Sequence, residues 1–230
     1  MKKITVILIS LMLVISLAAC GGSSQNKNEN TSAKNQNEAS GADVSDVINT
    51  DGEKILIAYF SVMETDGVDT MGGASRVAVD GEVLGNNEYI AKIIQRETGG
   101  DLFSIETVQD YPTTHEPLLD FAYNEKAENA RPELASHIEN PDSYDVIFLG
   151  FPNWNADLPM PLYTFLEEYD FSGKTIIPFA VHGGSGFSRT IQTISQLQPN
   201  ATVISDGFSI SRNNVAGAES EVVNWLNNLK

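Results

Sequence analysis

The chain has a single cysteine, Cys20, so it holds no internal disulfide and supplies no set of thiolates to a metal. Histidines number three, His115, His137 and His182, with no paired ligand spacing among them. Capping and surface roles suit them better than metal binding. Basic residues are scarce: 14 Lys and Arg face 31 Asp and Glu, a formal net charge of −17. Two of those 14 are Lys2 and Lys3; setting them aside leaves 12 basic against 31 acidic residues, a net charge of −19. A field of that sign makes nucleic acid and bare anionic membrane poor partners. Beyond residue 17 no stretch is apolar for long enough to span a bilayer.

What is present begins with Lys2 and Lys3, followed by Ile4 to Leu17, apolar apart from Thr5, Ser10 and Ser16. The run closes on Leu17-Ala18-Ala19-Cys20, a secretory signal in outline. The cysteine directly after Leu-Ala-Ala resembles a lipobox, whose cysteine receives a diacylglycerol. The expectation is therefore a lipoprotein signal peptide over 1–19, with ordinary secretion or a retained anchor as the alternatives. Lipidated Cys20 would open a flexible tether over 20–52, where Asn, Ser, Lys, Gln and Glu leave almost no apolar surface to bury. Two acyl chains exceed the marginal hold of one. Residues 53–230, 178 in all, suit one domain with a substantial core.

Five apolar runs alternate with helical patterns across that domain. Lys54 to Ser61 is continuous and unalternating, as an inner parallel strand requires. Leu102 to Val108 reads as an edge strand, Asp145 to Gly150 and Lys174 to Val181 as the third and fourth, and Ala201 to Ser205, extending toward Ile210, as the fifth. Pro178 is an awkward residue inside the fourth. Helical patterns fall around Ile90, Ile93 and Ile94, over 115–136 with a break at Pro132, over 161–169, over 190–197 and over 215–229. The economical solution is an α/β fold with a doubly wound five-stranded parallel sheet. The interval from Val62 to Gly85 is too long for a βα connection. Asp80-Gly81 between β-prone runs predicts an inserted loop or hairpin there, either decoration or a lid or partner-docking surface.

In open α/β sheets ligands lie outside the carboxyl ends of the strands, where three loops carry the candidate residues. Ser61 and Gly85-Asn86-Asn87 precede a helix and hold either a phosphate, through side-chain donors and free N–H groups, or simply an N-cap. Pro152, Asn153, Trp154 and Asn155 follow the third strand. Trp154 serves either as a platform for a planar ligand or as packing against the neighbouring helix. His182, Gly183, Gly184, Ser185 and Gly186 follow the fourth strand, with backbone groups open to a ring's polar edge. His-Gly-Gly also resembles an esterase oxyanion loop, but a nucleophile elbow needs Gly-x-Ser-x-Gly, and Phe187 stands two residues after Ser185.

These pieces together resemble the flavodoxin-like family, in its bacterial lipoprotein and short-reductase branch. ILIAYFS at 55–61, GNNEYIAKII at 85–94, GGDLFSIE at 99–106, the block at 144–179 and HGGSGF at 182–187 carry the resemblance. It implies strand order 2-1-3-4-5 and FMN at the carboxyl edge. By it Ser61, Gly85, Asn86 and Asn87 would hold the phosphate, Pro152, Asn153, Trp154 and Asn155 would run along the ring, and His182, Gly183, Gly184 and Ser185 would border its polar edge. Two positions depart from the family pattern. Asn87 replaces the last Thr of a compact Ser/Thr-x-Thr-Gly-Asn-Thr loop, and Asn155 stands where many relatives have a second Trp. The expected function is an FMN-dependent redox protein, carrying electrons or reducing a small acceptor such as a quinone outside the cytoplasmic membrane, to which its lipid anchors it. No residue is expected to act as nucleophile or acid. An NAD(P)H-dependent reductase and a binding module that has lost FMN are the alternatives.

Overall fold

The computed structural model describes Ile48, residues 52–65 and residues 76–229. All belong to one compact unit, Ser40–Lys230. The signal segment, Cys20 and nearly all of the tether lie outside the described residues. Ile48 is a finding in its own right: it is buried, and its N–H donates to Leu229 O at 2.9 Å, so the packed domain reaches back beyond residue 53.

Strand β1 (Ile55–Tyr59) is buried at every position. Its side chains alternate between two cores because successive Cβ atoms of a strand point to opposite faces. Ile55, Ile57 and Tyr59 enter one cluster, Leu56 and Ala58 the other. The hairpin follows as expected: β2 (Arg76–Val79) pairs antiparallel with β3 (Glu82–Gly85). Its turn residues Asp80 and Gly81 both have positive φ, 53° and 85°, as a two-residue hairpin turn of this hand demands. Helix α1 (Asn86–Thr98) begins directly on the hairpin's last residue and ends at Gly99, which adopts φ 72°. The second parallel strand, β4 (Asp101–Ser104), is shorter than the alternation of Leu102 to Val108 indicated. The chain beyond it leaves the sheet, and Thr107 bridges Leu134 instead.

Helix α2 (His115–Glu128) is a single helix that stops at Asn129, in the left-handed region, before Pro132 is reached. Strand β5 (Val146–Pro152) runs two residues past the predicted end, α3 (Met160–Glu168) carries Pro161 in its first turn, and β6 (Thr175–His182) follows. Helix α4 (Thr190–Leu197) falls where its apolar spacing placed it. The fifth position is split into β7 (Thr202–Val203) and β8 (Phe208–Ser211). A 3-10 turn over Arg212–Gly217 then leads into α5 (Glu219–Asn228).

The sheet order is β4-β1-β5-β6-β7, with β8 also on β6, all pairs parallel. Counted without the hairpin this is 2-1-3-4-5. One core packs α1 and α5 residues (Ile90, Ile94, Val222, Leu226) against Ile57, Phe148 and Ile177. The other packs α2, α3 and α4 residues (Leu118, Phe165, Ile194) against Ala58, Leu149 and Ala180. Pro178 explains the split fifth strand. The carbonyls of Lys174 and Ile176 accept from Thr202 and Ile204 on the β7 side, so residue 178 also faces that way. It has no N–H to give. The β7 ladder ends at Ile176 and the β8 ladder resumes at Phe179, leaving Pro178 in the gap.

Candidate functional site

The hairpin solves the problem of the long interval after β1. It returns the chain so closely that a Cβ built on Gly85 would lie 2.2 Å from Ser61 Oγ and 3.0 Å from Ser61 Cβ. Residues 24 apart in sequence thus form one surface at the start of α1. The Gly85 N–H donates to Glu88 Oε2 at 3.3 Å. The first turn of a helix has N–H groups that no intrahelical carbonyl can reach, and they favour an anion. Asn86 and Asn87 are buried there, each 1% exposed, and Asn87 Oδ1 has no hydrogen-bond partner among the described residues. A buried amide oxygen in that state costs free energy until a donor meets it. A phosphate ester with a hydroxylated chain offers donor and acceptor groups for such an amide, and the close approach at Gly85 leaves room for nothing bulkier than backbone. The free N–H groups at the start of α1 suit a phosphate, and Asn87 Oδ1, an acceptor, suits a ligand hydroxyl.

The loop after β5 is a tight two-residue turn. Asn155 and Ala156 form its tip, with φ of 52° and 59°, closed by Trp154 N–H to Asp157 O (3.1 Å) and Asp157 N–H to Trp154 O (2.9 Å). A turn of this kind needs two left-handed residues, which Asn tolerates well. Trp154 therefore lies at the base, not the tip. It is 6% exposed, edge-on to Phe60 at 5.6 Å and tilted against Tyr111 at 5.8 Å. This geometry buries the Trp154 ring among aromatic neighbours. Its ring neighbours are Phe60 and Tyr111, and Tyr111 in turn meets Phe121 of α2 edge-on.

Asp157 holds the loop. Its buried carboxylate accepts from Arg189 Nε (2.9 Å) and Nη2 (2.5 Å), Thr193 Oγ1 (2.9 Å), Leu158 N–H (3.0 Å) and Tyr163 OH (3.0 Å), with Lys126 Nζ at 3.6 Å. Burial alone would raise its pKa, but these donors outweigh burial and hold it below the ordinary carboxylate range. Lys126 also donates to Asn155 O at 2.6 Å. Sequence reasoning missed this hub because Lys126 and Arg189 lie about thirty residues to either side. A lone aspartate in an apolar, proline-rich loop was the available signal.

The loop after β6 is open. Gly183, Gly184 and Ser185 are exposed, and Gly184 and Gly186 adopt φ of 135° and 58°. His182 is half-buried; its Nδ1 accepts from Gly184 N–H at 2.9 Å, and burial lowers its pKa. Asn153, 6% exposed, ties this loop to the previous one. Its Nδ2 donates to Gly186 O (2.6 Å), Ser188 Oγ (3.0 Å) and Ser185 Oγ (3.3 Å). The structure thus gathers all three predicted loops at the carboxyl ends of β1, β5 and β6. The other histidines have local tasks: His115 Nδ1 pairs with Glu64 at 2.9 Å and His137 Nδ1 with Glu168 at 2.7 Å. Among the described residues no group of three or more His, Cys, Asp or Glu is arranged for a metal.

An open parallel sheet with a helix N-terminus near its first strand and two further loops on the same edge has the architecture of mononucleotide-binding α/β proteins. The comparison with known proteins narrows this: residues 54–229 match the family described as Flavodoxin, and the chain belongs to that FMN-binding family. Among solved structures it is similar to a proposed flavoprotein from Bacteroides eggerthii, at 26% identity over 77% of this chain and 98% of that one, with a TM-score of 0.56. A second proposed flavoprotein, from Bacteroides uniformis, matches at 25% identity over 76% and 99%, TM-score 0.56. A Lactobacillus acidophilus flavoprotein in complex with FMN matches at 19% over 74% and 99%, TM-score 0.49. No curated protein matches the chain.

Proposed function

We propose that the chain is an FMN-binding redox protein that carries electrons, or reduces a small acceptor such as a quinone, at the outer face of the cytoplasmic membrane. The observation that carries the reading is the close approach of Gly85 to Ser61 at the start of α1, which brings together residues the sequence holds far apart. Membership of the flavodoxin family supports FMN as the ligand. When bound, FMN supplies the electron chemistry. The chain's own residues bind and orient it: Ser61, Gly85, Asn86 and Asn87 hold the phosphate, Pro152, Asn153, Trp154 and Asn155 form the middle wall with Phe60 and Tyr111 behind it, and His182, Gly183, Gly184 and Ser185 border the ring. Their neutral donors compensate a phosphate without a lysine, and the acidic chain disfavours added negative charge on the ring.

The location rests on sequence. Cys20 after Leu17-Ala18-Ala19 receives the lipid, the tether gives reach, and the lipid confines the search for a redox partner to the membrane plane. Metabolic labelling with a fatty-acid probe, abolished by Cys20→Ala, tests the anchor; unaltered labelling in that variant refutes it. Reconstitution with FMN followed by desalting tests the cofactor: the protein is expected to stay yellow, and colourless protein rejects the reading. Turnover of NAD(P)H with a quinone then separates a reductase from a carrier. Reduction only by an added electron donor protein marks the carrier.

A further inference from the structure

Met63 places an exposed sulfur beside the proposed phosphate site. The side chain is 44% exposed, and its Cγ lies 3.6 Å from a Cβ built on Gly85, the same position that Ser61 crowds. The backbone on either side is fixed. Phe60 N–H donates to Gly150 O at 2.9 Å and Thr65 N–H to Thr113 O at 2.6 Å. Between them Glu64 is buried, and its carboxylate meets His115 Nδ1 at 2.9 Å. Met63 is therefore carried at the start of α1 on a strap anchored at both ends. An apolar side chain gains little burial in so open a place. Met160, the other methionine among the described residues, is 4% exposed in the first turn of α3.

Oxidation of a thioether follows its exposure, and the product is a polar sulfoxide in place of an apolar group. We propose that Met63 is an oxidation site whose sulfoxide weakens FMN at its phosphate end. Hydrogen peroxide is the oxidant. The sulfur lone pair attacks one peroxide oxygen, an S–O bond forms and the O–O bond breaks. The departing hydroxide takes the proton of the transferred oxygen and leaves as water. Sulfur is oxidised by two electrons and the peroxide is reduced by two. The new oxygen stands two bonds from Cγ and carries partial negative charge. Beside the free N–H groups of a helix start it competes with a phosphate for them and repels it. The inference rests on FMN being the ligand, and it makes the affinity of that site sensitive to oxidants.

Treating the full-length chain with hydrogen peroxide and then desalting it tests the proposal through two readouts, peptide mass spectrometry and fluorescence titration with FMN and riboflavin. Met63 is expected to gain one oxygen well before Met160 does. The treated chain should bind FMN about tenfold or more weakly, and riboflavin, which brings no phosphate, within about twofold of the untreated chain. Met63→Leu keeps an apolar side chain of similar volume without sulfur, so its FMN affinity should survive the same treatment. Met71→Leu, which removes the other methionine of the 62–84 interval, should give no such protection. Any of four results overturns the proposal: faster oxidation of Met160, unchanged FMN affinity once Met63 is oxidised, equal loss for the two ligands, or protection by Met71→Leu in place of Met63→Leu. Failure of the functional reading shows separately. An untreated chain that binds no FMN refutes that reading, and the proposal falls with it.

Discussion

At the scale of single residues, Gly85 carries the most weight, because it lacks a side chain where Ser61 Oγ stands 2.2 Å from any Cβ position. Its φ of −65° is ordinary, so the requirement is for space and not for left-handed backbone. Gly85→Ala should leave the fold intact but push Ser61 from the helix start, weakening FMN about tenfold or more in a fluorescence titration. Asp157 and Glu125 make opposite predictions about pH. The Asp157 carboxyl is lowered, so its stabilising contribution is complete above the unfolded carboxylate range, near pH 4, and is lost as pH falls through the lowered folded value. For Glu125, burial outweighs the hydrogen bonds from Tyr111 and Gln109 and raises its pKa. Stability from that group is present below the unfolded range and declines as pH rises through the raised folded value. Urea unfolding across about pH 3 to 8 reads both. Asp157→Asn should be less stable at neutral pH with a flatter acid limb, and Glu125→Gln should lose the decline on the neutral side.

At the scale of elements, α2 does more than cover the sheet. Its first residue, His115, pairs with Glu64 in the loop after β1, and Thr113 O just before it accepts from Thr65 N–H and Oγ1. Near its other end Lys126 holds Asn155 O in the loop after β5. One helix therefore fastens two walls of the candidate site. None of this was legible in sequence, because ion pairs and side-chain-to-backbone bonds between distant loops leave no periodic signal. The strands were legible because a parallel sheet buried on both faces reads as unbroken apolar runs. The hairpin was legible because Asp80-Gly81 has few other uses. Trp154 was half-legible: its loop was recognised, but the left-handed pair at Asn155 and Ala156 that makes it a base residue was not. Pro178 was seen as awkward, and the structure supplies the reason, a gap between β7 and β8. The gap predicts unequal costs for two substitutions. Pro178→Ala breaks no ladder bond and should cost about 1 kcal/mol or less. Gly207→Ala drives a Cβ to 2.1 Å from Pro178 O, a backbone atom that cannot rotate away, and should cost about 3 kcal/mol. Paired urea denaturation curves measure the difference.

At the scale of the whole molecule, the fold and the charge ask for different things. A net charge of −17 repels a phosphate ester, yet the residues proposed to hold it, Ser61, Gly85, Asn86 and Asn87, include no cation. Binding must then come from short-range donors at a helix start, which salt screens little, against long-range repulsion, which salt screens well. Raising ionic strength from about 0.05 M to about 0.5 M is expected to leave FMN affinity unchanged or tighter. A site relying on lysine or arginine would weaken. This contrast separates the cradle from nonspecific anion binding without any substitution.

The central claim is that the three loops at the carboxyl edge hold FMN by both its phosphate and its ring. Parallel fluorescence titrations of the purified chain with FMN and riboflavin test it most directly, since the two ligands differ only in the phosphate. FMN is expected to bind at least about tenfold more tightly than riboflavin. Equal affinity for the two, or no binding of either, would contradict the account.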